Sequence, residues 1–256
     1  VRFRRKPVEL PDDVDTLLRH HMAEWSFLDD TERRRVLGDT AHYLASFRFE
    51  AAQGFTLTPE ITTVVSAQAA LMALGFDHDP FTNVKAVVVH QRSLVKRGPR
   101  QGPVPGVMTD DPSHLDGEAH DRHGPVLLSW RAARNDLRHH GNGFNVVIHE
   151  LAHKLDMRDG LIDGVPGLLP AELRGRWRQV SATEYAAVRR GDPHLLRSYA
   201  GTDMAEFFAV ASEAFFDMPM RLSNELPALY ELLVAVYRQR PTERRASANE
   251  ADPAVG

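Results

Sequence analysis

Asn145-Val146-Val147-Ile148-His149-Glu150-Leu151-Ala152-His153-Lys154-Leu155-Asp156 is the stretch on which the fold turns. Phe144, Val146, Val147 and Ile148 open an apolar run that Leu151, Ala152 and Leu155 continue, and no Gly or Pro interrupts it. The pattern predicts a buried helix. Residues four apart share a helix face, so His149 and His153 can offer two imidazoles to one ion. Glu150 lies about 100° further round the helix, where it reaches a water on that ion without being a ligand. His-Glu-x-x-His on a helix is the start of a catalytic zinc site. The competing reading is a core helix with two incidental histidines. It would bury two imidazoles beside a carboxylate without compensation, which is costly.

The rest of the composition restricts what kind of site this can be. The chain has 256 residues, enough for one large core or two small ones. Apolar residues make up 43% and charged residues 26%, ordinary values for a globular protein. A net charge of −4 gives no electrostatic case for nucleic acid or an anionic membrane. No apolar run approaches the roughly 20 residues of a membrane span. The start, Val1-Arg2-Phe3-Arg4-Arg5-Lys6, is basic, but Pro7, Glu9 and Asp12 follow where a signal peptide needs an apolar segment. The expected location is the cytoplasm. With no cysteine, disulfides and thiolate ligands are excluded, and a metal here must be held by His and carboxylate.

Outward from the motif, the chain divides into elements. Helices are expected over 11–24, from Asp29 or Asp30 to about 52, and over 59–74, forming an N-terminal helical block. His20, His21 and His42 fall on this block and read as surface residues. Residues 84–90 are β-branched and short, a buried strand. The Gly- and Pro-rich stretch 97–123 reads as a long loop; its histidines are irregularly spaced and fit a solvated loop better than a second metal site. Residues 124–130 read as a strand whose early proline suits an edge position. Helices follow over 131–138, 170–190, 204–216 (with Asp203 as N-cap) and 224–238. One domain is expected over 11–240, with the helical block at 11–80 and a catalytic core at 84–240. A tail over 1–10 and a polar, flexible tail over 241–256 flank it.

A catalytic zinc takes three protein ligands and keeps a position for water. The third must come from a separate element, and the helix over 204–216 carries two carboxylates, Glu206 and Glu213, on one strongly apolar face. A carboxylate on such a helix is paired or binds a metal, unless both lie solvated on a polar side. The two are roughly 10 Å apart along the axis and do not easily share one ion. Spacing alone does not choose between them.

Three separated motifs carry a resemblance. His149 to Asp156 with the lead-in Gly143-Phe144-Asn145, the 124–130 strand, and Tyr199-Ala200 followed by Glu206-Phe207-Phe208-Ala209-Val210 and Ser212-Glu213 occur in that order. They resemble the Mlc titration factor A family, glucose-regulated metallopeptidases of bacteria, and the later part is similar to the catalytic domain of anthrax lethal factor. The likeness spans most of 25–240 and is sharpest from 124 to 216. It implies an α+β, mostly helical, zincin-like fold with a small sheet, an active-site helix and an N-terminal helical block. Carried over by position, it places the family's zinc ligands on His149, His153 and Glu206, its catalytic base on Glu150 and its tyrosine on Tyr199. Glu213 then becomes a carboxylate that holds a ligand imidazole or an arginine. Some members place a zinc-capping histidine in the loop before the edge strand. Gly106-Val107-Met108-Thr109 has none, so a zinc capped in this way is not expected here unless His114 substitutes.

Two functions follow as expectations. The first is a gluzincin-like zinc peptidase with one Zn²⁺, whose water is activated by Glu150, acting as an aminopeptidase on short peptides. The second, implied by the resemblance, is a regulatory protein that binds a transcriptional repressor of sugar uptake, with peptidase activity secondary. Hydrolysis of a non-peptide amide or ester is a third use of the same parts.

Overall fold

Asp29 starts the longest N-terminal helix by accepting hydrogen bonds from the backbone N–H groups of Thr31 and Glu32, while Glu32 reaches back to the Asp29 N–H. This reciprocal cap fixes α2 (Asp30–Ser46), which follows a short α1 (Val14–His21). Phe47 is extended, and the chain leaves the helix there to form β1 (Arg48–Ala51). The helix expected to reach about 52 therefore ends early. Pairing with β2 (Ala86–His90) overrides the local preference, as strand formation depends on context. Between them lies α3 (Pro59–Ala73), capped by Thr58 and opened by a proline. The computed structural model describes residues 8–251, apart from 53, 92–93, 97–99, 102–107, 110–112, 116 and 120–123.

Two ribbons occupy part of the stretch expected to be a loop. β3 (Leu94–Lys96) pairs antiparallel with β6 (Ser113–Leu115), and β4 (Arg100–Gln101) with β5 (Met108–Thr109). The side chain of His114, His120 and His123, and most of the loop's acidic residues, lie outside the described residues. Next come β7 (Gly117–Ala119) and β8 (Val126–Ser129). The main sheet has the order β1-β2-β8-β7, with the first three strands parallel and β7 antiparallel to β8. The strand expected at the edge, β8, is thus internal, and β7 takes the edge. Pro125 precedes β8 and costs its ladder no donor.

Helices α4 (Trp130–Asp136) and α5 (Val146–Asp156) follow, with α5 packed against β7, β8 and α3. Then come α6 (Arg174–Arg190), α7 (Met204–Asp217), α8 (Pro219–Glu225) and α9 (Pro227–Tyr237). The single helix expected over 224–238 is broken at Leu226, which is non-helical because Pro227 follows it. The flexible tail expected over 241–256 is instead helical in α10 (Pro241–Ala251). Its polar residues find partners: Arg244 bonds Glu32 at 2.8 Å, Thr242 bonds the Tyr230 hydroxyl at 2.7 Å, and Arg245 bonds the Asp217 carbonyl at 3.3 Å. His21 also departs from its expected surface position. It is buried, with Nε2 3.0 Å from Glu60 Oε1, and ties α1 to α3.

The architecture is α+β, mostly helical, with a small sheet over α5. The core runs continuously from α2 and α3 under the sheet to α5, α7 and α9. Among the described residues, no helix is long and apolar enough to cross a membrane.

Candidate metal centre

Every residue of α5 is buried, including His149, Glu150, His153, Lys154 and Asp156. Five ionisable groups on one buried helix need specific partners. The helix start is held from three directions. Asn145 caps it by accepting from the Ile148 N–H at 3.1 Å, Asp136 accepts from the Val146 N–H at 3.1 Å, and Glu213 accepts from the Asn145 N–H at 2.6 Å. Just upstream, Asp217 accepts from the N–H groups of Gly141 and Gly143 at 2.8 and 2.6 Å. Gly143 has φ +77°, a left-handed conformation that favours glycine, and a side chain there would meet Met218. At the other end, Lys154 donates to the Gly124 carbonyl at 2.9 Å, anchoring the entry to β8. Asn83 donates to the Lys154 carbonyl at 2.8 Å.

α7 lies alongside α5. Asp203 caps it through the Glu206 N–H at 2.9 Å, placing Glu206 in the first turn. The structure brings His149, His153 and Glu206 together, with one ligand atom from each within 4.8 Å of the others. His149 Nε2 is 3.2 Å from His153 Nε2 and 3.0 Å from Glu206 Oε2, and His153 Nε2 is 3.5 Å from the same oxygen. Among the described residues this is the one group of three or more such side chains close enough to hold an ion.

Glu206 and Glu213 take opposite sides of a single ring. Glu206 faces His149 Nε2, while Glu213 Oε1 accepts from Nδ1 at 2.7 Å. A proton on Nδ1 leaves the Nε2 lone pair aimed at the cluster, the tautomer a metal-binding imidazole needs. Glu213 is 1% exposed and also receives Arg197 Nη2 at 2.6 Å. It therefore holds both an imidazole and an arginine.

The donor set fits a divalent cation. Glu206 Oε2 is buried, and the groups facing it are two ring nitrogens that point at the same place. Three acceptors converging in a dry site need a cation between them. Without a metal, a proton must serve. Burial works against a charged imidazole, but the Glu213 carboxylate and the hydrogen bonds to Glu206 and Glu213 outweigh it, raising His149 to about 10. For Glu206, burial acts upward, but the two histidines prevail and hold its carboxyl well below the usual range. A metal taking this position displaces that proton.

Glu150, 2% exposed, lies close enough to raise the pKa of both His149 and Tyr199. Tyr199 sits on a 3-10 turn (Ser198–Gly201) and is 45% exposed. Its hydroxyl donates to Glu206 Oε1 at 3.2 Å, and its ring centroid is 5.9 Å from that of His149. Desolvation, then the Glu206 carboxylate, push its pKa up, so the phenol remains a donor. Sequence reasoning did not single out Arg197. The signal was indirect: a carboxylate buried in an apolar helix, as Glu213 is, requires a cationic partner somewhere in the chain.

The sequence pattern of the glucose-regulated metallo-peptidase M90 family matches residues 2–238. This chain belongs to that family. It is 30% identical over 232 residues to Mlc titration factor A of Yersinia enterocolitica, covering 85% of this chain and 82% of the relative. Mlc titration factor A of Serratia proteamaculans is 29% identical over 231 residues, covering 85% and 84%. An uncharacterized Synechocystis protein is 29% identical over 236 residues, covering 91% and 86%. Membership makes the chain metallopeptidase-like, and a metallopeptidase implies a metal, for which the His-His-Glu group is available.

Proposed function

We propose that this chain is a zinc-dependent peptidase in which His149, His153 and Glu206 hold the ion and Glu150 is the general base. The observation that carries this reading is the convergence of His149 Nε2, His153 Nε2 and Glu206 Oε2 beside a buried Glu150. Bound there, zinc supplies Lewis acidity and lowers the pKa of a coordinated water to about 7. Glu150 takes the proton of the attacking water and delivers it to the leaving amine. The Tyr199 hydroxyl, which here donates to Glu206, turns to donate to the carbonyl oxygen as negative charge develops on it. Glu213 keeps the His149 ring turned toward the ion.

The antiparallel edge strand β7 packs over α5 and offers its outer backbone to an extended peptide. Strand addition fixes register with little demand on side chains. An aminopeptidase acting on short peptides in the cytoplasm is the specific form proposed. Metal content and turnover on free-amine and blocked peptides, with and without chelator, test it. Chelator-sensitive cleavage that requires the free amine supports an aminopeptidase; equal cleavage of blocked peptides makes it an endopeptidase, and cleavage unaffected by complete metal removal refutes the reading.

The name of the relatives, Mlc titration factor A, favours a second reading: capture of a transcriptional repressor of sugar uptake. A pull-down with E150Q separates the two. Repressor capture without turnover supports binding as a distinct function, and no capture removes it.

A further inference from the structure

Arg197 occupies a junction that neither metal ligation nor general-base chemistry explains. Its Nη2 donates to Glu213 Oε1 at 2.6 Å, the oxygen that also receives His149 Nδ1 at 2.7 Å. Its Nη1 donates to the Gly143 carbonyl at 2.9 Å, in the turn that leads into α5. The guanidinium lies over the Phe144 ring, 4.5 Å from its centroid, and 5.9 Å from the Tyr199 centroid. Arg197 is also only two residues before Tyr199 in the chain. One planar cation thus touches three pieces: the α7 carboxylate that orients His149, the entry turn of α5, and the segment carrying the tyrosine.

Resting on the zinc-site reading above, we propose that Arg197 is a positioning residue that sets metal retention and turnover through Glu213. A carboxylate as buried as Glu213 carries its charge only with a compensating cation, and Arg197 supplies it. The second donor, on Gly143, fixes the direction from which that cation approaches. One arm of the rigid fork bonds the carboxylate and the other the Gly143 carbonyl, so the backbone fixes the guanidinium, the guanidinium holds the carboxylate, and the carboxylate holds the ring. Lysine keeps the charge but reproduces one of the two bonds. The Asn145 N–H on Glu213 Oε2 remains in every Arg197 variant, so without Arg197 the carboxylate keeps that one anchor besides the imidazole it orients.

The test compares wild type, R197K, R197Q, E213A and R197Q/E213A for zinc affinity by chelator competition, for kcat and KM separately, and for thermal unfolding. Loss of an outer partner of a metal ligand typically lowers metal affinity about 10–100-fold. R197Q is expected to show that loss with a reduced kcat and a KM within about threefold of wild type, and R197K to fall between. Because Arg197 acts through Glu213, the double variant is expected to bind zinc no more weakly than E213A alone. Wild-type zinc affinity and kcat in R197Q overturn the proposal, as do fully additive losses in the double variant, or a change confined to KM. Should R197Q not fold, R197K decides by the same comparison: undiminished affinity and kcat overturn the proposal. A wild-type protein that binds no zinc refutes instead the site reading on which the proposal rests.

Discussion

α3 and α5 lie in the same core and are buried to a similar degree, yet they are built from opposite materials. Twelve of the fifteen residues of α3 are buried, and its one ionisable side chain, Glu60, sits half-exposed in the first turn. All of α5 is buried, and five of its eleven residues are ionisable. Burying a charge without a partner costs several kcal/mol, so nothing about packing alone would favour α5 over α3. The difference separates a helix built for packing alone from one whose buried groups fit the proposed metal site. It also explains the number of outside groups committed to α5: Asn83, Asp136, Glu213 and the Gly124 carbonyl each bond it or its cap.

Substitutions in the two helices should break differently. E150Q keeps the shape of α5 and removes only the carboxylate proposed as the base. It is expected to lower kcat by about 10²–10⁴-fold with zinc retained, as read from steady-state turnover and metal analysis; an active E150Q would exclude Glu150 as the base. Tyr199→Phe removes the donor proposed for the developing oxyanion, and is expected to lower kcat by about 10²–10³-fold. Unchanged kcat would take Tyr199 out of the mechanism. Leu71→Ala, in the last turn of α3, carries the comparison to its other side. It should destabilise the fold by about 2–5 kcal/mol in denaturant melts, while the zinc affinity and kcat of the folded fraction stay at wild-type values. A Leu71→Ala protein that folds normally but loses zinc would show that the two helices are not separable in this way.

The parts of this picture legible in the sequence are those whose signal is local. The α5 motif lies in an uninterrupted apolar run, and α7 shows its cap at Asp203 and its two isolated carboxylates without any tertiary information. What spacing could not decide was which of Glu206 and Glu213 joins the two histidines. The two sit on one face, and the choice depends on how α7 lies against α5, with one imidazole spanning both acids through its opposite nitrogens. The resemblance favoured Glu206, and the packing places that residue on the Nε2 side. Strand β1 was hidden for a related reason: four residues, Arg48–Ala51, become a strand only because β2 is there to pair with them. The same holds for β7, which displaces β8 from the edge, and for α10, whose polar residues look solvated until Glu32, Tyr230 and Asp217 are brought beside them. Gly164 is a further case. Its backbone at φ +69° abuts Met204 at the start of α7, leaving no room for a side chain, a contact that no local pattern shows. That contact fixes where the loop after α5 meets the helix bearing Glu206.

The most direct test is zinc bound per chain, measured after dialysis for wild type, E206A and E213A. The account predicts one ion in wild type, none in E206A, and a weakened but detectable site in E213A. Full occupancy in E206A with loss in E213A would contradict it.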